Sequence, residues 1–271
     1  MRHLCELGYV DPSAVAVRNT LVQQQLEAEL QKAKKLLAGG AAEEGIRELE
    51  RLAAEDSAWI TPHQLLVELY YRSGRLAEAS THLEWLAEHA VEHPGLSLIR
   101  GTVAMARREM GTALEELEYA AYVEPSLPGV YSLLGTAYLR LRRLAEARKS
   151  FEQAIDTNDG DAVAYVGLAS IALASGECEE AAGLALEALQ RDLHSYEGHC
   201  RLGLALMRLS RLADATTAFE QAARVNPRRG AAYGWLARIA HESGDLEAVA
   251  RFRDLAIDGM RQRKTQRSRG W

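Results

Sequence analysis

The feature that most constrains this chain is a period. Residues 128–161, PGVYSLLGTAYLRLRRLAEARKSFEQAIDTNDGD, place Tyr131, Leu134, Gly135 and Tyr138 at positions 4, 7, 8 and 11 of a 34-residue window. Ala147, Phe151 and Ala154 follow at positions 20, 24 and 27. Stepping by 34 gives windows starting at 26, 60, 94, 128, 162, 196 and 230, with no insertion, ending at 263. Position 8 reads Ala33, Val67, Gly101, Gly135, Ala169, Gly203 and Ala237, and position 20 reads Gly45, Ala79, Ala113, Ala147, Ala181, Ala215 and Val249. Position 27 is Leu or Ala throughout. Position 24 is the large partner, with Leu49, Leu83, Leu117, Phe151, Ala185, Phe219 and finally Arg253. Gly40, Gly74, Gly176 and Gly244 mark a turn at position 15, and Pro125 and Pro227 close windows at position 32.

Small residues at 8 and 20 let two helices approach until ridges fill grooves, while large residues at 7, 11 and 24 fill what remains. This pattern resembles the tetratricopeptide repeat (TPR) family, whose unit is a 34-residue helix–turn–helix. The resemblance covers 26–263 and implies an all-α, right-handed superhelical solenoid of seven repeats (26–59, 60–93, 94–127, 128–161, 162–195, 196–229 and 230–263). Helices of three to four turns are marginal alone in water, so each repeat depends on its neighbours.

Departures from the pattern are informative. Asp11-Pro12 reads as a helix start, and helical character runs through Val22, Leu26 and Leu30 to Gly39-Gly40, so residues 1–25 are read as a lead-in and capping helix. Lys32 stands at position 7 of the first repeat, where Leu is usual. Arg100, Ala104 and Arg108 predict looser packing of the first helix of repeat 3. Repeat 5 is poor in large residues, which reads either as close packing or as a weak point. Val249 and Arg253 make the last helix more polar, as an end helix requires. Residues 264–271 are expected to form a basic disordered tail.

Net charge is −6, and the basic residues of the last stretch leave the rest more acidic still, which opposes general nucleic-acid binding. No apolar run approaches membrane-spanning length, and MRHLCELGYVDPS lacks the apolar core of a secretory signal. Cys5, Cys178 and Cys200 have no CxxC spacing and are odd in number, so a reducing, cytoplasmic setting is expected. Leu4, Leu7, Gly8, Tyr9 and Val10 form LxxLGYV, which resembles the closing segment of sulfatase-like and phosphodiesterase-like enzymes of the alkaline phosphatase superfamily, some of which continue into TPRs. None of that family's metal or nucleophile residues maps onto this chain.

The TPR resemblance implies a groove lined by the first helix of each repeat. Chaperone-binding members grip a carboxylate there with Lys and Asn, but position 9 reads Lys34, Glu68, Thr102, Thr136, Ser170, Leu204 and Arg238, without Asn. Position 12 gives an adaptable apolar stripe of Tyr71, Met105, Leu139, Leu173 and Met207. Arg72, Arg140 and Arg208 stand at position 13, with Arg201 and Arg238 nearby. His82, His89 and His93 are spaced along one helix, yet His93 precedes Pro94 and no HExxH motif is present, so they read as surface histidines. No P-loop, nucleotide fingerprint or nucleophile elbow occurs. The chain is therefore expected to be a non-enzymatic interaction scaffold without cofactor or metal, binding a protein or peptide segment with acidic and apolar residues. The alternative is the detached C-terminal TPR module of a sulfatase- or phosphodiesterase-like hydrolase.

Overall fold

The computed structural model describes residues 12–55, 59–89 and 93–267. Fourteen α-helices and no strands occur among the described residues. The LxxLGYV segment lies outside them.

The chain divides into two compact units, Met1–Glu92 and His93–Trp271, and the division falls one residue before the boundary between the second and third windows. The first holds α1 (Pro12–Ala38), α2 (Ala42–Glu55), α3 (Ile60–Arg72) and α4 (Leu76–Glu88), each packed on the next. The second holds α5 (Pro94–Arg107), α6 (Met110–Val123), α7 (Val130–Arg140), α8 (Leu144–Thr157), α9 (Ala162–Ser175), α10 (Cys178–Arg191), α11 (Tyr196–Arg208), α12 (Leu212–Val225), α13 (Gly230–Glu242) and α14 (Leu246–Arg267). Sequential helices pair, and the first helices α7, α9 and α11 also pack side by side.

The hairpin turn is one device used seven times. Position 15 has positive φ in every repeat: Gly40, Gly74, Gly176 and Gly244, but also Arg108 (φ 67°), Arg142 (62°) and Ser210 (61°). The amide that follows bonds back to the carbonyl at position 11, as in Arg75 to Tyr70, Arg143 to Tyr138 and Arg211 to Leu206. That six-to-one bond is the Schellman way of closing a helix C-terminus, and it requires the left-handed residue. Starts are capped less uniformly. Asp161 accepts from the amides of Val163 and Ala164, Ser195 from Gly198, and His93 from Gly95 ahead of Pro94 at the first helical position.

The register works through close helix approach. Phe151 is 1% exposed and lies against both Gly135 of its own repeat and Gly167 of the next; a Cβ on Gly135 would come within 2.6 Å of its ring. Leu117 fills the same place beside Gly101, and Phe219 beside Gly203. Repeat 5 is close-packed: Ala164, Ala169, Ala172, Ala181, Ala185 and Ala188 are all fully buried. The first helix of repeat 3 is not loose either, since Val103, Ala104 and Met105 are buried and Arg100 is drawn toward Glu116 at 3.9 Å.

The helix α1 runs without interruption from the lead-in through the first helix of repeat 1, in line with the helical run read from Pro12 to Gly39-Gly40. The helix α14 runs through Arg267, past the expected start of a disordered tail at 264, because Lys264, Thr265, Gln266 and Arg267 contain no helix breaker.

Candidate partner-binding face

The sequence stripe at position 12 does not survive as an exposed surface. Met105 and Leu173 are 5% and 6% exposed and belong to the packing between adjacent first helices. The small residues beside them, Ala104 and Ala172, leave room that these longer side chains fill. Leu139 and Met207 are half-buried and keep part of their surface open. Tyr71 is half-buried and Arg72 exposed, with Arg72 paired to Glu68 at 3.1 Å; both belong to the first unit.

The arginines of the second unit are not simply solvated. Arg140 Nη1 donates to the carbonyl oxygen of Met105 at 3.1 Å, and Arg208 Nη1 donates to that of Leu173. Each acceptor lies in the last turn of the first helix one repeat earlier, where the helix dipole is negative, and accepts the guanidinium in addition to a long bond from the amide at position 15 (Arg108 to Met105 and Gly176 to Leu173, both 3.3 Å). Both side chains remain exposed, and a guanidinium carries five N–H donors, so most stay available. Arg201 Nε donates to Ser170 Oγ at 2.7 Å and its head group lies 3.7 Å from Glu197. Arg238 lies over the Trp235 ring at 5.7 Å and bonds Glu242 at 3.3 Å. The resulting face on α7, α11 and α13 carries positioned guanidiniums beside half-buried Leu139 and Met207.

A second set of polar contacts recurs across repeats and escapes a position-by-position reading. Tyr138 Oη donates to Glu118 of the preceding repeat at 2.5 Å while Arg143 covers its ring at 4.6 Å. Tyr70, Glu50 and Arg75 repeat that arrangement in the first unit. Burial and the neighbouring Glu118 carboxylate push the Tyr138 hydroxyl up to about 12, so it stays a donor. Tyr at position 11 following Glu at position 25 was the available signal.

The histidines need a correction. His82 is half-buried, not a surface residue, with its Nδ1 3.0 Å from Nδ1 of His63. His63 is 6% exposed and stacks on Trp85 at 3.7 Å, and His89 stacks on the other side of that indole. Burial, then the neighbouring imidazoles, lower the His63 pKa to about 4. Among the described residues no group of three or more His, Cys, Asp or Glu could hold a metal ion. Burial also pushes the Cys200 thiol up to about 11, which leaves it protonated.

A stack of helix hairpins advancing by a fixed 34 residues defines a helical-repeat protein. The sequence matches the tetratricopeptide repeat family over residues 65–129, 132–195 and 200–251, and the chain belongs to that family. A tetratricopeptide repeat protein from Parabacteroides merdae is similar in structure, with TM-score 0.70 and 16% identity over 88% of this chain and 94% of that one. The APC/C hetero-tetramer Cut9–Hcn1 gives 0.68 at 15% identity, over 84% of this chain and 46% of that one. PilW, a type IV pilus biogenesis factor, gives 0.61 at 18% identity over 71% and 90%. At these identities the likeness shows the fold alone. No curated protein matches the sequence. No helix among the described residues is long and apolar enough to cross a membrane.

Proposed function

We propose that this chain is a non-enzymatic interaction scaffold, and that the first helices of its second unit hold a partner segment bearing acidic and apolar residues. The observation that carries this function is the anchoring of Arg140 and Arg208. Each guanidinium is held in place by a backbone carbonyl while its remaining donors stay open, beside half-buried Leu139 and Met207. Fixed guanidiniums bind carboxylates at a lower entropic cost than free ones. The Cut9–Hcn1 hetero-tetramer, similar in fold, is itself an assembly of two kinds of chain. Free thiols at Cys178 and Cys200 support a cytoplasmic setting.

The test is an array of synthetic peptides carrying Asp or Glu among Leu and Phe, with amide (Asn and Gln) counterparts as controls. The full chain is expected to retain the acidic peptides, and Arg140→Gln with Arg208→Gln to lose them while the protein stays folded. Equal retention of the amide counterparts would rule this function out.

A further inference from the structure

Position 24 carries the residue that closes each hairpin, and from Leu49 to Phe219 it is buried in all six earlier repeats. In the last repeat it is Arg253, which is exposed and has no hydrogen-bond or ion-pair partner among the described residues. Arg253, Gly234, Ala237, Arg238 and His241 line a recess of about 360 Å³ between α13 and α14.

The preceding junction shows what such a recess is for. Positions 5, 8, 9 and 12 of α11 are Cys200, Gly203, Leu204 and Met207, and position 24 of α12 is Phe219. That surface is covered by α13, which lays Trp235, Leu236 and Ile239 on Phe219, Leu204 and Met207. One repeat later the same five positions read Gly234, Ala237, Arg238, His241 and Arg253. The two small residues that allow a helix to approach are kept. The three apolar residues have become two arginines and a histidine. No Asp or Glu lines the recess, and the nearby Glu242 is bonded to Arg238.

Among the described residues no helix follows α14 to pack on this surface. α8, α10 and α12 are 14 residues long and are followed by the next first helix, whereas α14 continues for 22 residues, through Arg267.

We infer that this recess seats an α-helix of a partner protein that carries carboxylates where α13 carries Trp235 and Ile239, four residues apart. Small residues set the fit and the guanidiniums select charge, so an apolar helix of the same shape would leave Arg253 covered and unpaired. This site shares Arg238 with the face around Arg140 and Arg208 but adds His241 and Arg253, and it does not rest on the function proposed above.

The probe is a synthetic alanine-rich helix with two Glu four residues apart, compared with the same helix carrying Gln or Lys. Binding to the full chain is followed by amide NMR shifts. The Glu helix is expected to shift the Gly234 and Ala237 amides, and the Gln and Lys helices to leave them unmoved. Arg253→Leu, which restores the residue type of the other repeats and keeps the fold, is expected to weaken binding roughly tenfold, about 1.4 kcal/mol. Arg140→Gln with Arg208→Gln is expected to leave it unchanged, which separates this site from the other face. Equal binding of the three helices, absence of shifts at Gly234, or full affinity in the Arg253→Leu protein would each overturn the assignment. Self-association of the wild-type chain that Arg253→Leu abolishes would overturn the partner helix in favour of a second copy.

Discussion

Arg140 donates to the carbonyl oxygen of Met105, 3.1 Å away and one repeat earlier, so a side chain of one hairpin closes the helix end of its neighbour. Arg208 and Leu173 repeat the contact two repeats on. Coupling between repeats is therefore partly polar, in addition to the apolar packing that defines the family pattern.

Removing that bond is expected to weaken the junction modestly. Arg208→Met keeps the aliphatic stem and loses the donor, and a cost of about 1 kcal/mol follows from a charge-assisted bond at a helix C-terminus. Arg208→Glu is expected to cost more, since a carboxylate would face carbonyl oxygens. Urea titration followed by circular dichroism checks the order, and a glutamate variant as stable as wild type would remove the capping role.

Phe151 between Gly135 and Gly167 gives a prediction with an internal control. Gly135→Ala would place a methyl 2.6 Å from the ring, and overpacking of this kind costs roughly 1–3 kcal/mol. Combined with Phe151→Leu, the same substitution is expected to cost less than the sum of the two single changes. Gly183 lies within α10, where an added methyl would have no neighbour within 4 Å, so Gly183→Ala is expected to stabilise by about 0.5–1 kcal/mol. Melting temperatures of the four variants against the wild type decide it.

Arg142 and Ser210 hold the left-handed conformation that Gly176 holds at the same position. A side chain there is strained, so Ser210→Gly is expected to stabilise by roughly 0.5–1 kcal/mol after the entropy cost of glycine is counted. Gly176→Ala is expected to destabilise by a similar amount. Chemical denaturation that gave the two substitutions the same sign would contradict the turn geometry.

His63 makes the first unit acid-sensitive. Its folded pKa lies near 4, below the ordinary value of 6.5, so the unfolded chain takes up the proton first as pH falls. Stability is full above about pH 6.5, is lost progressively down to about pH 4 and levels off below that, by an amount on the order of 2 kcal/mol. His82 is shifted in the same direction by burial, with Glu50 opposing. His63→Phe keeps a ring against Trp85 and is expected to flatten the dependence of melting on pH across this window.

The period made the fold legible, because small and large residues at fixed positions follow directly from helix contact geometry. What it could not give was direction within a face. Position 12 reads as one stripe in sequence, yet Met105 and Leu173 turn inward where alanine neighbours leave space, while Leu139 and Met207 stay half open. The bonds from Arg140 and Arg208 were hidden for another reason: their partners are backbone carbonyls, which every residue has. His63 escaped notice because its partners His82 and Trp85 lie on the following helix. At position 15, four glycines announced the turn, but Arg108, Arg142 and Ser210 gave no sign that they adopt the same φ.

The contact of Phe151 with Gly167 also bears on how an array like this can change length. Deleting residues 162–195 would preserve the period, yet it would set Arg201 in the place of Gly167, against the Phe151 ring. Phe219 instead meets Trp235 at its own junction, and Leu117 meets Leu133. Each boundary is matched to its particular neighbour. The hairpins share one blueprint but are not interchangeable, so loss or shuffling of a single one would require compensating substitutions on both sides of the new seam.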